Sequence, residues 1–317
     1  MKRRFTEIYN EVYAKNNEQL ETLRKRKLIG VIFFMIAIAF TIVFCIKVGT
    51  TNERYLTLIF LALFLEIILF LIYAGKNTKS IYSKIYKENV ISELVNGVDS
   101  NLNYSPYSGV SESVFRMSKF DRGYDEFSSE DYISGTLESR ITVEMSNILT
   151  QEWRTTTDSD GNTSRELVTT FSGMFGRIIL PELFCTEFEI YKNSKFRQLV
   201  ANRIEVDSAM FEKIYDCFSI DKVRTMEILS SDIIEKFVEL QQNAIKSGVL
   251  EMKCTSNMIF FRISNGDVFE THVFRKAIQF DELHKYYKLV EFPIEIAEMF
   301  NNRLIELNKS IVLSNKI

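Results

Sequence analysis

The 317-residue chain has little proline, cysteine or histidine, and each shortage excludes a class of protein. Three prolines and twelve glycines exclude a collagen-like or low-complexity chain. Four cysteines without a CxxC pair indicate neither a zinc site nor a disulfide framework. His272 and His284 stand in no metal-ligand spacing. The segment DSDGNTSRE at 158–166 resembles the start of a calcium loop, but Thr163 stands where such a loop requires glycine and Thr169 where it requires glutamate. The sequence therefore predicts no cofactor and no metal site.

The chain also lacks a basic stripe and the common catalytic motifs. Residues 89–317 carry 25 Lys or Arg against 35 Asp or Glu, a net charge of −10. Nucleic-acid-binding proteins usually present clustered positive charge, so no nucleic-acid partner is expected. No GxSxG, HExxH, Walker or kinase motif occurs, and a non-enzymatic protein is therefore favoured.

Two long apolar runs are the strongest feature that is present. Residues 28–46 contain no charged side chain, and residues 55–74 contain only Glu66. About 20 apolar residues in a helix cross the hydrocarbon core of a bilayer. The eight residues between the runs, 47–54, are too few for anything but a turn. This pattern predicts a transmembrane hairpin of two helices.

Positive charge on both flanks of the hairpin predicts its orientation. Residues 1–27 hold eight Lys or Arg, four of them at 24–27, and lysines also follow the second run at 76, 79, 84 and 87. The turn holds only Lys47 and Arg54. Positively charged flanks remain in the cytoplasm. We therefore expect a two-pass protein of the cell membrane with both termini and its main domain in the cytoplasm.

Helical periodicity on both sides of the hairpin predicts a stalk. Apolar residues recur at helical spacing in 5–23 and again in 81–95, so two antiparallel helices are expected to pack together below the membrane. The turn-rich segment 96–110 then separates the stalk from a domain. The predicted boundaries are an N-terminal stalk helix at 1–27, spans at 28–46 and 55–74 around the turn at 47–54, a second stalk helix at 75–97, and a domain at 98–317.

The domain alternates between strand and helix patterns, which predicts an α+β fold with antiparallel sheets. It could form one sheet system or two lobes, near 98–206 and 207–317. The strand predictions are 140–145, 167–175, 250–255, 258–263 and 267–273, with an Asn265-Gly266 hairpin turn between the last two. The helix predictions are 111–118, a helix after Asp207 that includes Phe218, 232–246, 281–290 and a new helix starting at Pro293.

Glu66 is the most unusual residue, because a carboxylate near the middle of a span costs about 2.5–3.5 kcal/mol to insert. One interpretation is a neutral Glu66 that hydrogen-bonds between helices and fixes an oligomer. The other is a proton or cation site in a transport assembly. Thr41 of the first span is several residues nearer the outer face, so Glu66 is expected to have no partner within its own hairpin.

Five carboxylates concentrate in 121–131: Asp121, Asp125, Glu126, Glu130 and Asp131. Paired carboxylates can perform acid–base chemistry, which makes this cluster the candidate centre of an unrecognised enzyme. A run of like charges is more often a solvated loop, and that interpretation is favoured.

Several segments together resemble a bacterial membrane-protein family catalogued as domain of unknown function 3137. They are Asn103-Tyr104-Ser105-Pro106, SKF at 118–120, SSEDYISG at 128–135, TFSGMFGRIILP at 170–181, MFEKIYDCFSIDKVRTMEILSSDIIEKF at 210–237 and MIFFRIS at 258–264. Tyr215 and Ser219 stand where the family is expected to have Phe and Val, which indicates a diverged member. The resemblance implies a two-span hairpin before a cytoplasmic domain in the bacterial inner membrane, and no catalytic residue or cofactor. It also implies a LemA-type membrane protein as a possible partner.

The leading functional hypothesis is a membrane-anchored cytoplasmic interaction or scaffold module, which could form homo-oligomers. The alternatives are a subunit of a transport assembly that uses Glu66 and an enzyme centred on the 121–131 carboxylates. A deep polar pocket that joins Glu130 and Asp131 to other polar groups would favour the enzyme, whereas an apolar patch would favour the module.

Overall fold

The computed structural model describes residues 4–48, 61, 63–68, 76–121, 123–157, 163–194, 202–243, 248–264, 266, 268–271 and 274–314. The chain forms two compact units. The stalk unit comprises Thr6–Glu93 and Glu270–Glu282, and the sheet unit comprises Leu94–Phe269 and Leu283–Ile317 with the N-terminal residues up to Phe5. The stalk unit therefore includes a segment from the last sixth of the sequence.

The stalk unit is helical. Helix α1 runs from Phe5 to Val48, residues 61 and 63–68 are helical, and α2 (Lys76–Ile85) continues through a π-helical turn (Tyr86–Ile91) into α3 (Ser92–Val98). The predicted amphipathic stripe of α1 is confirmed, because Ile8, Val12 and Leu20 are buried at helical spacing. Lys15 Nζ lies 3.0 Å from Glu93 Oε1, so the two sides of the stalk contact each other.

One N-terminal helical stretch, Phe5–Val43, is long and apolar enough to span a membrane. Its apolar portion exposes large side chains around the helix, including Phe33 and Phe40. A helix that is apolar on all sides is typical of a membrane span. Most of the predicted turn 47–54 and second span 55–74 lies outside the described residues, so the described part of the chain contains one complete candidate span.

The sheet unit is built on nine antiparallel strands in the order β1-β2-β3-β4-β9-β8-β5-β7-β6. The strands are β1 (Leu102–Ser105), β2 (Glu126–Thr136), β3 (Thr142–Thr157), β4 (Thr163–Ile179), β5 (Phe188–Lys192), β6 (Arg203–Ile204), β7 (Tyr215–Ser219), β8 (Leu250–Thr255) and β9 (Met258–Ile263). The predicted α+β class with an antiparallel sheet is confirmed. Strands from both sides of residue 206 pair within this one sheet.

Five helices accompany the sheet: α4 (Glu112–Ser118), α5 (Ala209–Ile214), α6 (Lys222–Ile228), α7 (Ser231–Asn243) and α8 (Phe280–Ser314). On one face of the sheet, Phe188 packs against Phe300 of α8, and Tyr215 packs against Phe237 of α7. On the other face, α4 inserts Phe115 beside Phe171 and Phe175 of β4. The helices α7 and α8 therefore cover one face, and the short helix α4 covers only part of the other.

Gly176 shows why the long β3–β4 hairpin requires a glycine. A Cβ atom at this position would lie 2.5 Å from the Phe261 ring and 2.8 Å from the Glu144 carbonyl oxygen. Thr157 pairs with Thr163 at the other end of the hairpin, and residues 158–162 between them lie outside the described residues.

Four predictions of secondary structure are wrong, and packing explains three of them. The helix after Asp207 ends at Ile214, because Tyr215 and Cys217 alternate into the core as β7. The new helix at Pro293 is instead the middle of α8, since buried apolar residues on both sides of the proline hold one continuous helix. The acidic loop is strand β2 from Glu126 onward, paired with β3.

The fourth wrong prediction is the hairpin at Asn265-Gly266. The described residues 268–271 form no strand, and the hairpin lies instead between β8 and β9. Ser256 makes that turn with φ at +53°. The strand predictions 250–255 and 258–263 are both confirmed at their predicted bounds. The turn was misplaced because Asn-Gly is only one of several pairs that tolerate positive φ.

Candidate functional site

Strict alternation along β5 and β8 gives the sheet two different faces. Phe188, Ile190 and Cys254 point to the face that the helices cover, and all three are buried. Glu189 and Lys253 lie between them in sequence and therefore point to the opposite face. An antiparallel sheet can be solvated on one side, so this second face is available to a ligand or a partner.

A groove of about 850 Å³ lies on this second face. It is lined by the end of α4 and by residues of β5, β7, β8 and β9. Its rim carries two exposed apolar side chains: Met117 is 50% exposed and Ile220 is 84% exposed. Exposed apolar side chains beside a groove are typical of interaction surfaces.

Phe120 is held in the groove between two cations. Lys253 Nζ lies 5.1 Å from the centre of the Phe120 ring, and Arg262 Cζ lies 5.0 Å from it. Cations within about 6 Å of an aromatic ring are attracted to its π face. Lys253 Nζ also donates to the Lys119 carbonyl oxygen at 3.0 Å, which ties the segment after α4 to the sheet.

Each of these cations faces a carboxylate on the neighbouring strand. Arg262 of β9 lies opposite Glu251 of β8, with an N–O distance of 2.6 Å. Lys253 of β8 lies opposite Glu189 of β5, with an N–O distance of 3.5 Å. Cross-strand pairs of opposite charge stabilise a sheet modestly and order the side chains that form them. The groove is therefore balanced in charge, and its cations are held in place.

Several polar groups of the groove are hydrogen-bonded, and the Thr255 hydroxyl donates to the Glu187 carboxylate. The hydroxyl of Ser118 donates to the Phe115 carbonyl oxygen, and the hydroxyl of Ser219 donates to the Glu187 carbonyl oxygen. Cys254 is fully buried, and burial raises the pKa of its thiol well above the ordinary value. A nucleophile needs an adjacent base or a lowered pKa. In the described contacts Ser118, Ser219 and Cys254 do not meet this condition, whereas the Thr255 hydroxyl lies beside a carboxylate.

The five predicted carboxylates have different surroundings in the structure. Asp121 accepts a hydrogen bond from Thr150 at 3.3 Å, and Asp125 accepts one from the Trp153 backbone N–H at 2.7 Å. Glu126 and Glu130 are exposed on β2. None of the five lines the groove described above. Among the described residues, no group of three or more His, Cys, Asp or Glu could hold a metal ion.

Asp131 differs from the other four because it is completely buried. It occupies an irregularity of β2 between Glu130 and Ile133, with φ at +60°. The Tyr104 hydroxyl donates a hydrogen bond to its carboxylate. Burial and the Asp131 charge together raise the pKa of Tyr104. This pair joins β1 to the bulge of β2, which is a structural arrangement.

Glu66 does have a partner near it, so the expectation that Thr41 lies at a different depth is wrong. The Thr41 hydroxyl donates to Glu66 Oε1 at 2.7 Å. Side chains tilt toward the N-terminus of their own helix, so in two antiparallel helices such a pair moves toward a common depth. Glu66 Oε2 is buried and has no hydrogen-bond partner among the described residues.

The remaining candidate residues are structural where they are described. Cys217 is buried on β7, and burial raises the pKa of its thiol to about 12. His284 packs against Phe5 with ring centres 4.8 Å apart. His272 lies outside the described residues.

The sequence did not predict the groove, although two residues of the groove lie in segments that carry the family resemblance. Phe120 ends the SKF segment and Arg262 lies in MIFFRIS, two segments on which the family resemblance rests. They are 142 positions apart in sequence, and only the pairing of β9 with β4 and β8 brings them together. The sequence did contain one signal of this face: Glu251 and Lys253, two positions apart on a predicted strand, carry opposite charges, and Arg262 lies on the next predicted strand.

Comparison with known proteins agrees with the resemblance. Residues 169–302 match the family described as "Protein of unknown function (DUF3137)". The resemblance to domain of unknown function 3137 is thereby confirmed over this part of the chain. The match includes β5, β7, β8 and β9, which form the floor of the groove. No curated protein and no solved structure matches the chain.

Proposed function

We propose that this chain is a two-pass membrane anchor that holds a cytoplasmic interaction module at the inner membrane of a bacterium. The apolar character of α1 and the positive flanks of both apolar runs support the anchor and its orientation. The Thr41–Glu66 hydrogen bond supports packing of the helical residues 63–68 against the first span.

Cysteine labelling in intact cells tests the orientation. A cysteine at position 50, in the proposed external turn, should react with an impermeant reagent, whereas one at position 159 should react only after lysis. Labelling at position 159 from outside would contradict the cytoplasmic location of the domain.

The groove on the second face of the sheet is the observation that carries the interaction role. Its cations are ordered by Glu189 and Glu251, and its rim exposes Met117 and Ile220 to solvent. Ordered charges around exposed apolar side chains are the ingredients of a protein–protein interface. We propose that the partner is another membrane-associated protein, for which the family resemblance suggests a LemA-type protein.

Photocrosslinking in native membranes tests this assignment. A photoreactive residue at Ile220 should crosslink to one discrete partner, and Lys253→Glu in the same chain should abolish that product. The matched control places the residue at Tyr107, which is 71% exposed and lies outside the groove. Equal crosslinking at both positions, or none at Ile220, would contradict a partner site in the groove.

A second candidate function rests on the Glu66 carboxyl oxygen that has no partner in the described part of the chain. An unsatisfied polar atom in a membrane is costly, so a neighbouring copy or a transported cation could supply its missing contact. A hydrogen bond between copies would preserve assembly in Glu66→Gln, because an amide keeps a donor and an acceptor. Glu66→Leu would weaken assembly by about 0.6 kcal/mol, and at most about 1.7 kcal/mol.

Crosslinking and a flux assay separate the two roles of Glu66. Transport would be lost in Glu66→Gln as completely as in Glu66→Leu, because neither side chain titrates. Unchanged crosslinking between copies in Glu66→Leu would exclude the oligomer contact. Absence of a pH-gradient-driven flux in vesicles containing the unaltered protein would exclude transport.

A further inference from the structure

The segment Glu270–Glu282 belongs to the stalk unit although it lies far from the stalk in sequence. The Ala277 backbone N–H donates to Glu21 Oε1 at 2.8 Å. Three residues later, Phe280 packs edge-on against Tyr9, with ring centres 5.0 Å apart. The segment therefore runs antiparallel to α1.

This direction locates Phe274, Arg275 and Lys276 relative to the apolar part of α1. Glu21 precedes Leu28 by seven residues, which is about 10 Å of helix. From Phe280 to Ala277 the chain moves toward the apolar part of α1. Continuing in the same direction for three more residues covers up to about 10 Å. Lys276 lines one cleft with Arg24, so Phe274, two residues before Lys276, lies near the level of the basic flank that precedes the apolar run of α1.

These three residues are exposed at that level, and the charge around them is positive. Phe274 is 65% exposed, and Arg275 and Lys276 are also exposed. Lys276 and Arg24 line the same cleft of about 730 Å³ in the stalk unit. The other basic residues of this level are Lys25, Arg26, Lys27 and Lys79, and Lys79 lies close enough to Lys27 for mutual repulsion. The carboxylates that face the cleft are Glu21, already paired with Arg24, and Asp281.

An exposed aromatic residue beside basic residues is the composition of a bilayer interface. Aromatic rings concentrate at the headgroup level, and each Lys or Arg near an anionic surface adds about 1 kcal/mol of attraction, or about fivefold in affinity. Phe274, Arg275 and Lys276 add an aromatic ring and two positive charges to the basic flank of α1, from a segment about 250 positions away in sequence.

We propose that Phe274–Lys276 docks on the anionic headgroups of the inner leaflet, together with Arg24–Lys27 and Lys79. Phe274 enters the interface, and the cations bind lipid phosphates. The inference rests on the proposed membrane anchor. It adds that residues beyond the two spans contact the bilayer, and that this contact depends on anionic lipid.

Tryptophan fluorescence of the full chain in lipid nanodiscs tests the docking. Trp153 is the only tryptophan, so Trp153→Phe provides a silent background. In that background, a Phe274→Trp reporter should shift to shorter wavelength and be quenched by brominated lipid when the disc contains phosphatidylglycerol. In discs of phosphatidylcholine alone, both effects should be much weaker. A Tyr13→Trp control lies fifteen residues before Leu28, about 22 Å along α1, and should not be quenched in either disc.

A reporter inside the span separates failure of the docking from failure of the anchor. Ile36→Trp should be quenched in both kinds of disc. Quenching at Ile36→Trp without quenching at Phe274→Trp would overturn the docking and leave the anchor intact. No quenching at Ile36→Trp would overturn the anchor, and the docking with it.

Two further arms test the role of charge and the source of the phosphate. Arg275→Gln combined with Lys276→Gln should raise the phosphatidylglycerol content needed for half-maximal quenching, by up to about fivefold for each charge. If the phosphatidylglycerol content needed for half-maximal quenching did not change, the proposed role of these cations would be overturned. Dissolved glycerol phosphate should leave the Phe274→Trp emission unchanged in phosphatidylcholine discs. If it reproduced the full shift, the site would be one for a soluble phosphate rather than for a bilayer.

Discussion

The two faces of the nine-stranded sheet differ in what their side chains do, although the same strands supply both. The face beneath α7 and α8 is lined by fully buried aromatic and aliphatic residues such as Phe188 and Phe261. The opposite face carries Lys253 and Arg262, each paired with a carboxylate across the strands. Stability should therefore depend mainly on the first face and partner binding mainly on the second. Substitutions on each face test this division.

The largest loss of stability is expected from Phe261→Ala on the covered face. Removing a fully buried phenylalanine leaves a cavity and costs about 3–5 kcal/mol. Denaturant unfolding of the full chain in detergent would measure the loss. Ile220→Ala, on the exposed rim of the groove, is the matched control and should change stability by less than about 0.5 kcal/mol. Similar losses in both variants would refute the division between the faces.

Asp216 is a charged residue of the second face that is completely buried. Arg203 Nε donates to its carboxylate at 2.9 Å, and the Ser194 backbone N–H donates at 3.0 Å. Asp216→Ala should cost about 3 kcal/mol, the lower end of the range for breaking a buried pair, because Glu212 still pairs with Arg203. The double variant Arg203→Met with Asp216→Leu should lose less. A larger loss in the double variant would contradict this account.

A smaller loss is expected from Gly176→Ala in the β3–β4 hairpin. The new methyl group would meet the Phe261 ring and the Glu144 carbonyl oxygen, and such overpacking typically costs about 1–3 kcal/mol. Thermal unfolding would measure the effect. Gly123→Ala is the control, because a Cβ atom there meets nothing within 4 Å. If Gly176→Ala left the free energy of unfolding unchanged, the strands would have to move apart at this point to accept the methyl group, which would contradict the predicted overpacking.

A small effect on stability is expected from Lys253→Met in the groove. Its partner Glu189 is 44% exposed, so solvent weakens the pair, which should contribute less than about 1 kcal/mol. Loss of the hydrogen bond to the Lys119 carbonyl oxygen should add about 1 kcal/mol. The same variant should lose the crosslink from Ile220 that the proposed partner site predicts. Measuring both on one preparation gives the sharpest comparison. Unfolding of the Lys253→Met variant, or retention of its crosslink, would contradict the proposed division between the two faces of the sheet.

Much of the fold followed from local patterns. The α+β class, the helix at 112–118, the strands 250–255 and 258–263 and the amphipathic stripe of α1 were predictable, because each depends on a short periodic pattern. Strand β7 was not, since its apolar residues also fit a helix and its pairing with β5 and β6 favours the strand. The same is true of Pro293, where burial on both sides outweighs the hydrogen bond that proline removes.

The sites divide in the same way. Glu66 stood out in sequence because a charge in an apolar run is rare, but its contact with Thr41 depends on how two helices pack. The acidic cluster at 121–131 also stood out in sequence. The structure gives three of its members, Asp121, Asp125 and Asp131, partners on three different residues.

The sequence by itself determined the apolar span of α1, the basic flanks and the antiparallel α+β class, because these depend on composition and on periods of a few residues. Only the tertiary structure decided what the distant segments form together. Phe120 reaches Lys253 and Arg262 through the strand order of the sheet, and Ala277 reaches Glu21 across 256 positions. Such contacts leave no local pattern, because the free energy that favours them comes from packing between elements rather than from the sequence around each residue.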